Sequence, residues 1–395
     1  MMMVIIFVGS TVDTKTLKDL PDASVAGNKM QLGFIKGFLS NGINTIGISA
    51  EAYGMWKFNK KPVYVKGKDL KDGTVFLYTV SYLNIPVIKQ FTIYRAINKK
   101  IRYEIRKQRR KSNDKGNVIL MVYNTMSIFA GPVINVARKE GCKCVAVVAD
   151  LPIKKKKSII RRIEDKRQEI YISKFDGLIP LTKYIADDFA PGKPYCIVEA
   201  GCNPSDYQED TNIYRRLSKK KVVFSGTLNE LSGIDLILNA MKYVSPDIEL
   251  DIYGDGPYRE KVENAIQKQK NVNYHGKVSN EEMIQIQSKA SLLVCPRHDD
   301  NYTTKYTFPS KLLEYICAGV PVLSNRLKGI PEEYEDYITF SKSEDPKDWA
   351  DTINTIVLYN NEYYYKKAKA AQKKVLEKKS WKKQSKKVID FLEEL

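Results

Sequence analysis

The sequence predicts an α/β fold built from two doubly wound, mainly parallel sheets, and three observations carry that expectation. Short apolar runs alternate with segments of helical periodicity along most of the chain. The Val/Ile content of those runs is continuous instead of alternating apolar with polar, as strands buried on both faces require. Finally, 395 residues are more than one ordinary core holds, which points to two domains of roughly 200 residues each.

Taken in order, the first half reads as strand Val4 to Val8, helix Asn28 to Ser40, strand Thr45 to Ile48, strand Val118 to Met121, helix Ser127 to Lys139 and strand Cys144 to Val148. Nothing in this series favours an antiparallel fold. A second set begins at Lys221 with Val222 to Phe224, Ile234 to Tyr243, Ile248 to Ile252, Tyr258 to Lys268, Val272 to Tyr274, Asn280 to Lys289 and Leu292 to Val294. Between the halves, Ala190-Pro191-Gly192-Lys193-Pro194 and Gly201-Cys202-Asn203-Pro204 concentrate turn formers, placing a linker near residues 203 to 220. In the last segment, Trp381, Val388, Ile389 and Leu392 make a helical stripe able to cross back onto the first domain.

The net charge of +19 is uneven: residues 95–115 carry +8, 154–167 carry +6 and 366–387 carry +10, leaving −5 elsewhere. Such runs are often solvated helix faces. In the two N-terminal ones, however, Ile and Tyr interleave with the cations, the composition of a surface that meets anionic headgroups. No nucleic-acid recognition motif accompanies them, so no nucleic-acid partner is expected. The six cysteines are scattered without CxxC spacing beside only two histidines, indicating neither a disulfide framework nor a metal site. No apolar stretch reaches membrane-span length and Met1 to Val8 lacks a basic leader, so a cytoplasmic chain at the inner face of the cell membrane is expected.

Most chemistry lies in Phe308-Pro309-Ser310-Lys311-Leu312-Leu313-Glu314, followed by Ala318-Gly319-Val320-Pro321. Pro309 and Ser310 suit a helix start, with Ser310 as N-cap or first-turn residue, where free N–H groups and the positive dipole end face an incoming phosphate. Lys311 adds a full charge, and Glu314, one turn on, is placed to accept from two adjacent ribose hydroxyls. Ordinary capping explains the same pattern, so the companions matter. Phe224-Ser225-Gly226-Thr227-Leu228 ends a strand and Ser232-Gly233-Ile234-Asp235 opens the next helix, at the carboxyl edge where open parallel sheets bind ligands. Gly254-Asp255-Gly256-Pro257 and His275-Gly276-Lys277 end two further strands. A lone histidine such as His275 is more often structural than catalytic.

In this order the motifs resemble the donor-binding half of family-4 glycosyltransferases, specifically over residues 222–340 and only by topology before that. The resemblance implies a GT-B fold: a Rossmann-like acceptor-binding domain over 1–203, a nucleotide-sugar-binding one over 204–378, a central cleft between them, and a helix over 379–395 packing on the first. It implies retaining transfer from a nucleotide sugar, UDP-, GDP- or TDP-linked, with no metal or other cofactor. It places Gly226, Thr227, Gly254, Gly256 and Lys277 beside the nucleotide, together with Tyr306, Phe308, Pro309, Ser310, Leu312 and Glu314. In the first domain, Gly27 stands where the family's glycine-rich loop lies, although a plain helix N-terminus capped by Asn28 explains it equally well. Asp150 stands where many relatives carry a histidine facing the donor sugar, and an N-cap is its other reading.

Three positions depart from the family. Thr227 and Ser232 stand where Arg and Lys commonly clamp the diphosphate, and Tyr306, eight residues before Glu314, replaces the first of two glutamates. Arg297, Lys305 and Lys311 are the available compensating charges, which makes Asp150, Arg297 and Lys311 the expected catalytic groups. The run Pro296-Arg297-His298-Asp299-Asp300-Asn301-Tyr302 resembles a bacterial polysaccharide-building subgroup, so the acceptor is expected to be a saccharide, lipid-linked in view of the basic N-terminal surface. A homo- or hetero-oligomer stays open. The competing readings are a catalytically silent GT-B subunit bound to a partner glycosyltransferase, an epimerase of similar fold, for which His275 and His298 are few, and a binding module without chemistry.

Overall fold

The first apolar run becomes the centre of a sheet. In the computed structural model, which describes residues 3–20, 23–54, 62–111, 117–152, 159–207, 219–359 and 361–395, nine strands precede residue 201: β1 (Val4–Gly9), β2 (Asn44–Ser49), β3 (Tyr64–Val65), β4 (Asp69–Asp72), β5 (Val75–Thr79), β6 (Tyr82–Leu83), β7 (Val118–Tyr123), β8 (Lys143–Val148) and β9 (Gly177–Pro180). Seven form one sheet in the order β4-β5-β2-β1-β7-β8-β9, parallel except for β4 against β5. Every residue of β1 and β7 is buried, as their unbroken apolar sequences require.

Two antiparallel pairs within residues 64–83, β4/β5 and β3/β6, are the exceptions to the parallel pairing of the first half. Their strands are two to five residues long, and β5 alternates buried and exposed positions. They lie at the edge of the sheet or outside it, where one face stays wet, so no continuous Val/Ile run marks them.

Six more strands, β10 (Lys221–Thr227), β11 (Glu249–Asp255), β12 (Val272–Gly276), β13 (Leu292–Cys295), β14 (Val322–Ser324) and β15 (Thr339–Phe340), form a second, all-parallel sheet in the order β12-β11-β10-β13-β14-β15. From β10 the chain builds outward through β11 and β12, then returns to add β13 on the other side. The β10/β13 junction is therefore the point where strand order reverses, and its carboxyl edge is where such sheets leave a crevice.

The chain divides into two units, Met1–Gly201 with Trp381–Leu395, and Cys202–Ser380. Of the expected 203–220 linker, residues 208–218 lie outside the described residues, and the change of unit comes just before it, at Gly201/Cys202. The final helix, Trp381–Glu394, belongs to the first unit, with Trp381, Val388, Ile389 and Leu392 buried. Trp381 is its anchor: the ring lies 5.2 Å from that of Phe34, and a Cβ on either Gly33 or Gly201 would fall within 2.5 Å of it. Trp381→Ala is expected to destabilise the first unit by about 3–5 kcal/mol, read as a lower denaturant midpoint with little change in slope.

Candidate functional site

At the β10/β13 switch point a cavity of about 270 Å³ opens, and the second unit alone supplies its wall. Ser225, Gly226 and Thr227 come from the end of β10, Asn229, Leu231 and Ser232 from the turn after it, Cys295 and Arg297 from the end of β13, and Pro309, Ser310 and Lys311 from the start of helix Ser310–Cys317. Segments more than eighty residues apart in sequence thus converge on one notch, among them two of the three cations expected to compensate for Thr227 and Ser232, Arg297 and Lys311, whereas Lys305 does not line it.

Each wall is fixed by a local cause. Ser232 closes a capping box with Asn229, donating from its backbone N–H to Asn229 Oδ1 at 2.9 Å while its Oγ accepts from the Asn229 N–H at 3.2 Å. Gly233 follows at φ +69°, and a Cβ there would lie 1.8 Å from the Pro296 carbonyl oxygen, so glycine lets the Arg297 loop approach this turn. The same loop is held from below by buried Asn325, whose Nδ2 donates to the carbonyls of Pro296 and Arg297 at 3.2 and 3.0 Å, and whose Oδ1 accepts from Trp349 Nε1. Helix Ser310–Cys317 is stapled to β10 by Tyr315, buried, whose hydroxyl donates to the Ser225 carbonyl at 3.1 Å and accepts from the Ser225 N–H at 3.0 Å. Burial pushes that phenol above its ordinary value. Sequence reading missed Tyr315 and Asn325, since both act through partners far away in the chain.

The helix begins with Pro309 at the N-cap position and Ser310 as its first residue, and no side chain caps it. The Leu312 N–H donates back to the Pro309 carbonyl at 2.8 Å, which leaves the Ser310 and Lys311 amides for a ligand. Leu312 and Phe308 do not reach the cavity: Leu312 is fully buried and Phe308 packs 5.0 Å from the Tyr334 ring. Tyr306 is also buried, edge-on to Tyr302, with Lys305 Nζ 5.2 Å from its ring centre. A tyrosine at this position therefore serves packing.

Arg297 dominates the electrostatics. Its Nη2 donates to Thr307 Oγ1 at 3.1 Å, its buried Nε has no partner, and no described carboxylate lies within ion-pair distance. Burial pulls the guanidinium below its ordinary value against the opposing pull of Cys295 and Asp300, yet an arginine stays charged. A desolvated cation with an unused donor is a place where an anion is stabilised. Lys311 Nζ lies 2.9 Å from Glu314 Oε2, joining the second wall cation to the carboxylate expected at the ribose.

Other expected residues lie around the notch or apart from it. Gly254, at φ +132°, is in contact with the Gly226 carbonyl, and a Cβ there would come within 1.8 Å of that oxygen. Gly256 packs on Leu228, where a Cβ would come within 2.3 Å of the carbonyl oxygen, and Lys277 is 74 % exposed, 3.6 Å from Asp255. His275 stacks on Tyr253 at 4.6 Å and meets buried Asp251 at 3.1 Å, an arrangement on the β11/β12 strands away from the cavity wall. In the first unit, Asp150 is exposed at the end of β8 and accepts from Asn124 Nδ2 at 3.1 Å. Gly27 sits in the first turn of helix Val25–Ser40, and its N–H already donates to Ser24 Oγ at 3.0 Å, so it offers no free amide. Asn28 does not cap that helix: it is buried, and its Oδ1 accepts from the Val12 N–H and the Thr11 hydroxyl.

His298, next to Arg297, ties the loop outward, with Nδ1 2.6 Å from Glu344 and Nε2 3.1 Å from Asp235. Burial favours the neutral ring, but the bonds to Glu344 and Asp235 outweigh it and hold the imidazole above its ordinary value. Such a group stabilises the fold fully below its unfolded pKa of about 6.5, and the contribution is lost as pH rises through the higher folded value. The melting temperature should therefore fall across that window in the parent chain and less in His298→Gln, as pH-resolved thermal denaturation would record.

Residues 207–375 match the family described as glycosyl transferases group 1. The second unit is a group 1 glycosyl transferase domain. No curated protein matches the chain. Among solved structures it is similar to sucrose-phosphate synthase from Thermosynechococcus elongatus (TM-score 0.71, 13 % identity, 99 % of this chain and 98 % of that one). It is similar to Anabaena HepE in complex with UDP (0.67, 12 %, 99 % and 100 %) and to WaaG, a glycosyltransferase involved in lipopolysaccharide biosynthesis (0.60, 14 %, 98 % and 99 %). At these identities the likeness establishes the fold, GT-B, as the sequence resemblance implied. Among the described residues no cluster of three or more His, Cys, Asp or Glu is placed to hold a metal ion, and no helix is long and apolar enough to cross a membrane.

Proposed function

We propose that the group 1 domain binds a nucleoside-diphosphate sugar in the β10/β13 notch and that the chain transfers the sugar, with retention, to a lipid-linked saccharide in bacterial cell-surface polysaccharide or glycoconjugate synthesis at the cytoplasmic face of the membrane. One observation carries the reading: Arg297, desolvated and without a counter-ion among the described residues, shares a wall with Lys311 and the uncapped start of helix Ser310–Cys317. Negative charge grows on the departing diphosphate in the transition state, and two cations plus free amides stabilise charge at that place. In this reading they serve where a metal ion would otherwise be needed. Glu314 accepts from the ribose hydroxyls, and Asp150 is the polar group offered by the first unit. HepE, of the same fold, is also known in complex with UDP-glucose, which supports a UDP-linked donor before GDP- or TDP-linked ones.

The silent-subunit reading keeps one specific observation: Ser232 spends its hydroxyl on the capping box and brings no charge to the diphosphate. Thermal-shift screening against UDP, GDP, TDP and CDP sugars decides first. A stabilisation of about 2.7 kcal/mol is expected at a hundredfold excess over Kd for the true donor, and none for the others. Turnover of the stabilising sugar nucleotide removes the silent-subunit reading, whereas no response to any of them sinks the proposal.

A further inference from the structure

Helix Ile88–Lys111 has two faces of opposite character. Inward, Ile93, Ile97, Ile101 and Ile105 are buried at four-residue steps, and the helix's single acid, Glu104, is buried beside them and paired with Lys100 at 3.0 Å. On one flank, Arg102 and Arg109 reach Glu140 of helix Ser127–Glu140 at 3.5 and 3.2 Å. The remaining cations stay outside these pairs. Arg95, Lys99, Arg106 and Arg110 are exposed along one stripe of the helix and meet no carboxylate among the described residues.

On the same outer stripe stand large apolar side chains: Ile88 and Phe91 before the cations and Tyr103 among them, each exposed. Val87 precedes them at φ +68° and 83 % exposure, a conformation and a setting a β-branched apolar residue rarely adopts. The apolar end widens onto β3/β6, where exposed Tyr64 pairs in register with exposed Leu83, and the Leu83 N–H meets Thr92 Oγ1 at 3.2 Å. Helix Ile159–Ile172, which also packs on Ser127–Glu140, exposes Ile159, Ile163 and Ile170 beside Arg162 and Arg167, but carries three acids of its own, Glu164, Asp165 and Glu169. A solvated face mixes both signs of charge and has no need of exposed Ile and Phe. One that combines apolar insertion with unpaired cations carries the two signals that reversible bilayer binding takes.

We infer that the outer stripe of helix Ile88–Lys111 docks on a bilayer rich in anionic phospholipid, with Val87, Ile88 and Phe91 entering the headgroup boundary and Arg95, Lys99 and Arg106 resting on phosphates. The inference deepens the proposed function by naming the surface that meets the membrane, and it rests on that reading only for its purpose, to bring the enzyme to a lipid-linked acceptor. Co-sedimentation of the full chain with phosphatidylcholine vesicles, with and without phosphatidylglycerol, tests it. Binding is expected only to the anionic vesicles, weakening with added salt. The double change Arg95→Ala with Lys99→Ala should lower affinity about thirtyfold, at about fivefold per cation. Phe91→Ser should lower it about tenfold, and Arg95→Lys should retain it.

All these positions are exposed, so melting temperature and nucleotide response should stay at parental values. Equal binding to phosphatidylcholine alone, no binding to either vesicle, or variants that bind like the parent overturns the inference. So does polyuridylate binding lost in the same variants without vesicle binding, which would assign the stripe to nucleic acid. Anionic vesicle binding in a chain that ignores every nucleotide sugar would uphold the docking face and sink only the proposed transferase activity.

Discussion

Arg297→Ala is expected to lower kcat/KM for the productive nucleotide sugar by about 10²–10³, the loss typical of removing one preorganised donor aimed at developing charge. The guanidinium sits at the end of β13 with Nε unpaired, and among the described residues no carboxylate is in reach and only Thr307 engages it. Its desolvation is therefore uncompensated until an anion arrives, which gives the experiment a second reading. Removing a buried cation without a partner relieves a cost in the empty protein, so the melting temperature of Arg297→Ala should hold or rise while activity collapses. A purely structural arginine would show the reverse, lost stability with kinetics intact in the folded fraction. Arg297→Lys keeps the charge but loses the planar fork, so it should fall between parent and alanine variant. Kinetics and differential scanning fluorimetry on the same three proteins settle the matter, and an unchanged kcat/KM in Arg297→Ala would remove this residue from the diphosphate site.

Much of this arrangement was legible in the sequence because it depends on local pattern. Continuous apolar runs such as Val145 to Val148 and Val222 to Phe224 became buried strands of parallel sheets, and the 3.6-residue stripe of Trp381, Val388, Ile389 and Leu392 became the buried face of the last helix. The notch was legible for a similar reason: small residues ending β10 and Pro-Ser opening a helix each mark a strand or helix terminus, and parallel topology brings such termini to one edge. What the sequence left hidden depends on partners distant in the chain. Tyr315 reads as one more helical apolar residue until its hydroxyl is seen bonded to Ser225, ninety residues away. Asn325 reads as a polar residue after a strand, and only the fold places it beneath Arg297. At Gly27 a local competitor decided the outcome, because Ser24 is a better-placed cap than Asn28 and occupies the amide that a phosphate would need.

Glu314→Ala should weaken binding of a nucleoside diphosphate by about 10- to 100-fold, as expected when a hydrogen bond to a charged group, worth about 1.5–3 kcal/mol, is removed. The effect on pyrophosphate should have the opposite sign. Lys311 Nζ lies 2.9 Å from Glu314 Oε2, so the carboxylate partly satisfies the cation that is to hold the diphosphate. Without it, Lys311 faces the cavity unneutralised, and pyrophosphate should bind as tightly as before or more tightly. Lys311→Ala should mirror this pattern, weakening diphosphates while leaving a bare nucleoside unaffected. Because the two side chains touch, their effects should not add: the double variant should fall short of or exceed the sum by at least about 0.5 kcal/mol, the coupling seen between residues in contact. Calorimetry of the four proteins with UDP, uridine and pyrophosphate separates the roles. Equal losses for all three ligands in Glu314→Ala would show that the glutamate only supports the helix start, and would dismiss it as the ribose acceptor.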